Sequence, residues 1–308
     1  MRIIIAGGTG VIGKAFIREI AGEGHEIVVL SRNPAAEKSM PGVKLVQWDA
    51  KTADGWGQWM DGAGSVINLA GHPISTGLIP IPWSSEYRRK IELSRRNAGE
   101  ALVAAIAIAN DKPGFLFQMS GIDLYPYASV TMTEDSPAGK NFLATVVTAY
   151  WEPSTAPVEQ MDVRRVIGRT GPLLNLENGP LPSSLLQFKL FAGGRLGSGK
   201  QWMSWIHIRD AVRAIRFLME NQEARGVVNI VAPNPVTNAQ YTAALGKVMC
   251  RPTVVPVPEF AMKAVLGEVS ELVLKGRPVS AARLQGMGFA FDFPTLESAL
   301  QDLLAKSN

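Results

Sequence analysis

Cysteine and histidine are scarce in this sequence, and that scarcity excludes two kinds of site. Cys250 is the single cysteine among 308 residues. One cysteine allows neither an internal disulfide framework nor a cysteine-based metal centre. The three histidines, His25, His72 and His207, are scattered along the chain rather than spaced as ligands on one element. We therefore expect chemistry that does not use a metal ion.

Charge of one sign and long apolar runs are limited as well. Thirty-one Lys and Arg residues against 27 Asp and Glu residues give a net charge of +4, without any basic run that would indicate nucleic-acid binding. The longest small or apolar run, residues 101–109, is far shorter than the ~20 residues that a membrane span needs. The chain starts with a strand pattern rather than with a cleavable leader. We expect a soluble, cytoplasmic monomer or homodimer that binds neither nucleic acid nor membrane.

Short β-rich apolar runs alternate with helical patterns over the first 120 residues. Strands are predicted at residues 2–6, 26–31, 43–47, 65–69 and 115–119, and helices at 12–21 and 84–110. Strands separated by helix-length segments form βαβ units, and right-handed crossovers leave few topologies open. The sequence therefore predicts an α/β fold with a doubly wound parallel sheet.

This alternation changes after residue 120. A polar loop at 121–140 precedes a helical stretch at 142–151, and three more elements are predicted, namely strands at 162–167 and 227–231 and a helix at 208–220. From residue 233 a proline-rich connection leads into three short helical segments. We predict a sheet domain over residues 1–174, completed by 204–232. A smaller C-terminal substrate lobe would consist of 175–203 and 233–308 with its helical extension.

The segment between the first strand and the first helix contains glycines at three regular positions. Gly7, Gly10 and Gly13 give the pattern G-x-x-G-x-x-G. The first glycine allows the tight turn, the second lets the backbone approach a pyrophosphate, and the third lets the helix pack closely on the strand. The free N–H groups of the helix then bind the pyrophosphate. We predict a Rossmann-type dinucleotide-binding domain with the loop residues Gly7, Thr9, Gly10, Val11, Ile12 and Gly13.

The end of the second predicted strand indicates which dinucleotide is bound. It reads Ser31-Arg32-Asn33 and offers no carboxylate for a ribose 2′-hydroxyl. The guanidinium of Arg32 can pair with a 2′-phosphate, and Ser31 and Asn33 add neutral donors. The alternative is that Arg32 is only a solvated charge at a strand end. The sequence favours NADP(H).

Two further strand ends complete the predicted cofactor site. Asp49, after the third strand, is placed either to meet the adenine amino group or simply to form a turn. Leu69, Ala70 and Gly71 follow the fourth strand, where small side chains would let the backbone lie beside the cofactor.

Several sequence blocks, together with the glycine loop, resemble one family. They are Trp83 with Ser94-Arg95, Arg169-Thr170-Gly171, the glycine-rich segment 193–201, and Trp205-Ile206-His207-Ile208 with Asp210. The chain resembles an atypical extended short-chain dehydrogenase/reductase of the "epimerase family protein" group, over essentially its whole length. That group is related to nucleotide-sugar epimerases and carries an extra C-terminal domain. The resemblance implies an NADP-type cofactor and an active site between the two lobes, but it does not define a substrate.

The usual catalytic dyad of short-chain reductases is missing. These enzymes place a Lys four residues after a Tyr, because a free phenol titrates near ~10 and needs an adjacent cation for acid–base work at neutral pH. None of the five tyrosines has a lysine at that spacing. Ser120, at the end of the fifth strand, is the predicted substrate-polarising hydroxyl. Tyr125, which matches a tyrosine common in the group, or Tyr127 would donate the proton, unless both merely pack in the loop.

Two functions remain open at this stage. The first is an NADP(H)-binding oxidoreductase or nucleotide-sugar epimerase-like enzyme acting on a small-molecule substrate, nucleotide-linked or not. The second is a non-catalytic NADP(H)-binding regulatory or sensor protein that lacks the Tyr-x-x-x-Lys pair. Three roles outside the predicted cofactor site are also open. Lys200 would hold an anionic group, His207 and Asp210 would anchor a strand-to-helix turn, and Arg95 would either line the cleft or pair with a neighbour.

Overall fold

The chain folds around one parallel sheet. A computed structural model describes residues 1–38, 40–74 and 82–305. The strands are β1 (Arg2–Ala6), β2 (Glu26–Ser31), β3 (Val43–Gln47), β4 (Ala63–Asn68), β5 (Phe115–Gly121), β6 (Arg164–Thr170), β7 (Leu173–Leu174), β8 (Trp202–Met203), β9 (Ile206–His207), β10 (Gly226–Ile230) and β11 (Val236–Thr237). Seven of them form the main sheet in the order β10-β6-β5-β4-β1-β2-β3, and all neighbours in it run parallel.

Helices cover the sheet and build the C-terminal lobe. The α-helices are α1 (Val11–Glu19), α2 (Ser85–Ile108), α3 (Phe142–Thr145), α4 (Pro180–Lys189), α5 (Ile208–Glu220), α6 (Asn238–Met249), α7 (Glu259–Leu266), α8 (Glu271–Leu274), α9 (Ala282–Gly286) and α10 (Leu296–Ala305). A π-helix spans Val146–Trp151, and 3₁₀ turns lie at Pro34–Ala36, Gly57–Met60, Ile122–Leu124, Pro153–Met161 and Gly267–Ser270. No helix in the described part of the chain has the length and apolarity needed to cross a membrane.

The order of the strands confirms the doubly wound fold. Strands β1 and β2 are buried almost throughout, as continuous apolar runs covered on both faces should be. The sheet grows in one direction from β1 to β3 and in the other from β4 to β10, so the chain reverses between β1 and β4. In open α/β sheets the ligand binds at the carboxyl ends of the strands beside such a reversal. The topology therefore places the predicted loop residues at the expected binding crevice.

Two apolar layers sandwich the sheet. On one face, Phe16 of α1 and Ile215 of α5 pack with the strands, and on the other face Leu102 and Ala105 of α2 do so. These side chains are buried, because each helix repeats apolar residues at helical spacing on the side facing the sheet.

The C-terminal lobe has an apolar core of its own. Residues from three helices, among them Phe188, Leu245 and Leu300, are buried together there. The sequence analysis placed no helix at α4 or α6. Both helices are present in the structure. The prolines of α4 lie in its first turn, where a missing N–H breaks no intrahelical hydrogen bond. Helix α6 begins with a capping box between Thr237 and Gln240. The proposed division of the chain into lobes stays a prediction.

The helical stretch predicted at 142–151 changes character along its length. Asn141 caps α3 by accepting a hydrogen bond from the N–H of Ala144 at 2.8 Å, and the π-helix follows directly. A π turn is rare and occurs mostly near functional sites. Here it ends at buried Trp151 and at Glu152, whose carboxylate reaches the end of β5.

Close packing of α2 makes a test of the fold. A Cβ on Gly99, in the middle of α2, would overlap Ser154 Oγ, whereas a Cβ on Gly286, at the end of α9, would meet nothing within 4 Å. We expect Gly99→Ala to lower the free energy of unfolding by about 1–3 kcal/mol, since overpacking forces a backbone shift. The matched helical variant Gly286→Ala should leave it unchanged or raise it slightly. Urea denaturation of both variants checks this, and equal stabilities would contradict the packing.

Candidate cofactor and active site

The glycine loop has the backbone geometry that a phosphate site requires. Gly7 has φ +78°, and a Cβ there would lie 2.7 Å from the carbonyl carbon of Leu69. A Cβ on Gly13 would lie 2.5 Å from Gly7 O, so α1 touches the loop. Gly10 caps α1 without any side-chain hydrogen bond, and the first turn holds no acidic residue. The N–H groups of the first turn of α1, which begins at Val11, are thus left for an anion.

The end of β2 lies beside this loop and presents donors. Ser31 is buried, and its Oγ accepts a hydrogen bond from the N–H of Asn33 at 3.2 Å, which shapes the turn. Arg32 and Asn33 are exposed. Within residues 1–38, 40–74 and 82–305, no carboxylate pairs with Arg32. Its guanidinium is therefore available to a phosphate.

Asp49 forms a turn with its own neighbours. Its Oδ1 accepts hydrogen bonds from the N–H groups of Lys51 at 2.8 Å and Thr52 at 2.9 Å, and its Oδ2 lies 3.3 Å from Thr52 Oγ1. The hydrogen bond from the Thr52 backbone is the main reason that the pKa of Asp49 is lowered. Turn formation, one of the two roles left open for Asp49, is therefore present. Contact with adenine stays a prediction.

The segment after β4 closes the other side of the loop. Leu69 N donates to Ala6 O at 2.9 Å, and Ala70 N donates to Asn68 Oδ1 at 3.2 Å. These bonds bring the backbone of Leu69 and Ala70 against Gly7. Gly71 follows as an exposed residue. The structure thus brings the predicted cofactor residues at the ends of β1, β2 and β4 to neighbouring strand ends on one edge of the sheet.

Ser120 lies at the end of β5 in a charged hydrogen-bond network. It is 2% exposed, and its Oγ donates to Glu152 Oε1 at 2.7 Å. Arg169, which is paired with Ser120 across β5 and β6, holds the same carboxylate with two bonds of 2.8 and 3.0 Å. The predicted polarising hydroxyl is therefore oriented by a buried ion pair.

Tyr125 completes the network from the other side. It is fully buried, its hydroxyl donates to Asn229 Oδ1 at 2.8 Å, and it accepts a bond from Arg169 Nη1 at 3.0 Å. Burial raises the pKa of Tyr125. Burial also raises the pKa of Tyr127, to about 12, and Arg277 lies 4.5 Å from the centre of its ring. Both phenols are protonated at neutral pH.

The sequence analysis missed three members of this network. Glu152, Asn229 and Glu134 were not singled out, although the backbone N–H of Asn229 donates to Glu134 Oε1 at 2.9 Å. The one available signal was Arg169, because a charged residue inside a buried strand needs a partner. Its partner, Glu152, comes from the end of the π-helix, which the sequence pattern does not reveal.

Arg95 and His72 lie on the α2 side of the crevice. Arg95 is 4% exposed, donates from Nη1 to His72 O at 3.0 Å, and lies with Cζ 4.3 Å from the ring centre of Trp151. Burial lowers the pKa of Arg95 to about 10. Burial also lowers the pKa of His72, and the nearby cations Lys90, Arg95 and Arg32 act in the same direction.

The residues predicted to anchor the start of α5 do so in different ways. His207 caps the helix, since its Nδ1 accepts the N–H of Arg209 at 3.1 Å. Asp210 does not cap it. Its carboxylate accepts the N–H groups of Asp292 and Phe293, both at 2.9 Å, and so attaches the segment before α10. Among the described residues, no three His, Cys, Asp or Glu side chains are grouped to hold a metal ion.

A doubly wound parallel sheet with a glycine loop at its reversal defines a Rossmann-type dinucleotide-binding protein, here of the extended short-chain dehydrogenase/reductase class. The chain belongs to the NAD dependent epimerase/dehydratase family, whose model matches residues 3–148 and 175–231. Residues 257–303 match a domain of unknown function, DUF1731.

Full-length relatives support the same assignment. The "Epimerase family protein SDR39U1 homolog, chloroplastic" of Arabidopsis thaliana is 36% identical over 99% of this chain and 87% of its own length. The "Epimerase family protein YfhF" of Bacillus subtilis is 35% identical over 99% and 98%. The crystal structure of human epimerase family protein SDR39U1 (isoform2) with NADPH is 31% identical, with a TM-score of 0.88 and 99% of each chain covered.

The Arg169–Glu152 pair allows a direct test of the network. Arg169→Met leaves the partly buried carboxylate of Glu152 without its cation, and we expect the free energy of unfolding to fall by about 2–4 kcal/mol. In a double-mutant cycle, Arg169→Met with Glu152→Gln should show a coupling of at least about 1 kcal/mol. For the exposed pair Lys263–Glu259, we expect Lys263→Met to lower the free energy of unfolding by less than about 1 kcal/mol. Additive effects in the cycle would show that the two groups do not interact.

Proposed function

We propose that this protein is an NADP(H)-dependent oxidoreductase or epimerase-like enzyme. The observation that carries the proposal is the glycine loop at the start of α1, which has no side-chain cap and follows β1, the strand next to the β2 end that bears Arg32. A Cβ at Gly7 or Gly13 would collide with neighbouring backbone, so both positions fit a loop that lies close to a pyrophosphate. NADPH in the human relative's structure agrees with this cofactor.

Each part of the crevice would hold a different part of the cofactor. The N–H groups of Val11, Ile12 and Gly13 would bind the pyrophosphate, and Arg32 would pair with the 2′-phosphate. Asp49 would meet the adenine. When bound, the cofactor supplies the hydride, while the protein supplies orientation and proton handling.

Ser120 and Tyr125 are our proposed proton-handling groups. Ser120 lies at the carboxyl end of β5, and Tyr125 lies in the loop that follows. Arg169 contacts both Glu152, the partner of Ser120, and the hydroxyl of Tyr125. Ser120 would polarise a substrate carbonyl while Glu152 orients it. Tyr125 would have to turn its proton from Asn229 toward the substrate.

The substrate in this proposal is a small polar molecule. Nucleotide-linked sugars are the first class to test, since the family includes nucleotide-sugar epimerases. Whether the chain acts as a monomer or a homodimer, and its cytoplasmic location, stay predictions.

One observation favours a non-catalytic alternative. The hydroxyls of Ser120 and Tyr125 both donate to internal acceptors, and neither tyrosine of this loop has the usual lysine four residues on. A regulatory or sensor protein that binds NADP(H) without turning it over needs no free proton donor.

Cofactor selection is tested by titration with NADPH and NADH. We expect wild type to prefer NADPH, and Arg32→Ala to weaken NADPH binding at least about tenfold, or ~1.4 kcal/mol, because the fork to the 2′-phosphate is lost. NADH binding should change less than about twofold. Arg18→Ala, an exposed arginine at the far end of α1, is the control. Nicotinamide fluorescence reports both affinities, and a protein that binds neither nucleotide would refute the proposal.

Tyr125→Phe separates the two functions. Loss of the hydroxyl removes one partner each from Asn229 and Arg169, and we expect about 1–2 kcal/mol less stability with unchanged NADPH affinity. Tyr150→Phe serves as control. Carbonyl substrates are then screened for NADPH consumption below the melting temperature. If Tyr125 donates the proton, its variant should lose about 100-fold or more in turnover. Turnover that survives would assign the hydroxyl to structure alone.

A further inference from the structure

Arg95 is a buried cation that forms no ion pair with any carboxylate in the described part of the chain. Its side chain is almost inaccessible, and the hydrogen bonds of its Nη1 go to the carbonyl oxygens of His72 and Ile91. Nε is buried and unpartnered. Among residues 1–38, 40–74 and 82–305, no carboxylate forms an ion pair with it. Even with its pKa lowered to about 10 by burial, the guanidinium is charged at neutral pH.

The charge lies at the carboxyl ends of the central strands. A Cβ on Gly71, after β4, would be 3.3 Å from Arg95 Cζ. The other face of the guanidinium covers the ring of Trp151, and that ring in turn lies 3.7 Å from where a Cβ on Gly121 would be. Among the charged groups that raise the pKa of Arg95, Asp123 has the largest effect. Its Oδ1 also lies 3.5 Å from Arg277 Nη1, so Asp123 is already engaged with another cation.

This position belongs to the second half of the dinucleotide site. In doubly wound sheets the two halves of the cofactor bind on either side of the strand reversal. Arg32, at the end of β2, marks the adenosine side of this reversal. The ends of β4 and β5, with Gly71 and Gly121, therefore correspond to the nicotinamide side, so the inference below rests on the proposed NADP(H) function.

A cation at this place acts differently on the two redox forms of the cofactor. The oxidised nicotinamide ring carries a positive charge, and the reduced ring is neutral. Two like charges several ångströms apart, at the effective dielectric constant of about 20 found inside proteins, shift an equilibrium tenfold or more. The phosphates are the same in both forms, so attraction to them cancels in the comparison.

We propose that Arg95 makes this site select NADPH over NADP⁺. The selection is electrostatic and needs no direct contact between the guanidinium and the ring. Each tenfold preference for the reduced form raises the two-electron reduction potential of the bound cofactor by about 30 mV. The protein would hold its cofactor in the reduced state, which suits a reductase or a sensor of NADPH better than a dehydrogenase.

Calorimetric titration of the full chain with NADPH and with NADP⁺ tests the proposal. We expect wild type to bind NADPH at least about tenfold more tightly. Arg95→Met and Arg95→Gln should bring the two dissociation constants within about threefold of each other, chiefly by strengthening the binding of NADP⁺ relative to NADPH. Arg95→Lys, which keeps the charge, should retain the preference. Arg96→Met is the matched control, since Arg96 is the next residue of α2 and its side chain is 43% exposed.

The outcomes separate this proposal from the one on which it rests. Equal affinity of wild type for the two forms overturns the inference and leaves NADP(H) binding intact. The inference is also overturned if the Arg95 variants lose affinity for NADPH and NADP⁺ by the same factor, since the charge would then act on the phosphates. Absence of binding by wild type removes both proposals. Circular dichroism confirms folding of each variant, and the wild-type ratio stands even if a variant does not fold.

Discussion

The guanidinium of Arg169 joins the separate elements at the carboxyl edge of the sheet. It extends from β6 to the carboxylate of Glu152, to the hydroxyl of Tyr125 and to the carbonyl oxygen of Glu134. These partners come from the end of the π-helix and from the loop after β5. A planar fork with several donors can satisfy them at once, which an ammonium group cannot do in the same geometry. The positions of the Ser120 and Tyr125 hydroxyls are therefore linked through one residue of β6.

Charge is distributed unevenly along this edge. Around β5 and β6, the cation Arg169 meets a carboxylate, and the hydroxyls of Ser120 and Tyr125 each donate to a partner. Around β2 and β4, Arg32 and Arg95 have no carboxylate partner among the described residues. Burying a cation without an anionic partner is costly, so the buried position of Arg95 indicates an anionic ligand or an electrostatic task, whereas Arg32 is exposed and bears no such cost. The two regions thus differ in whether their cations have carboxylate partners, and only the second fits our proposal of an anionic ligand.

Sequence patterns predicted those elements of the fold whose formation depends on interactions between residues close in the chain. Strands β1, β2 and β3 and helix α5 lie at the predicted residues. Strands β1 and β2 are continuous apolar runs, as buried parallel strands are, the edge strand β3 mixes apolar and polar residues, and α5 has a regular apolar stripe. Helix α6 escaped detection, since its small residues blur that stripe. The residues that we propose for the cofactor could be named from the sequence because they follow strand ends in a fixed topology. Glu152 was not, because its contact with Ser120 depends on a π turn and on a crossing between elements 32 residues apart.

The absence of the Tyr-x-x-x-Lys pair acquires a physical meaning in this setting. That pair uses a lysine to lower the pKa of a phenol beside the nicotinamide. Here burial raises the pKa of Tyr125, and the cation that lies near the nicotinamide side is Arg95, on a different helix and stacked on Trp151. In our proposal, a positive charge lies at the nicotinamide end of the site but is not linked to a proton donor. A proton that accompanies hydride transfer would then come from the Ser120–Glu152 pair or from a phenol that first leaves Asn229.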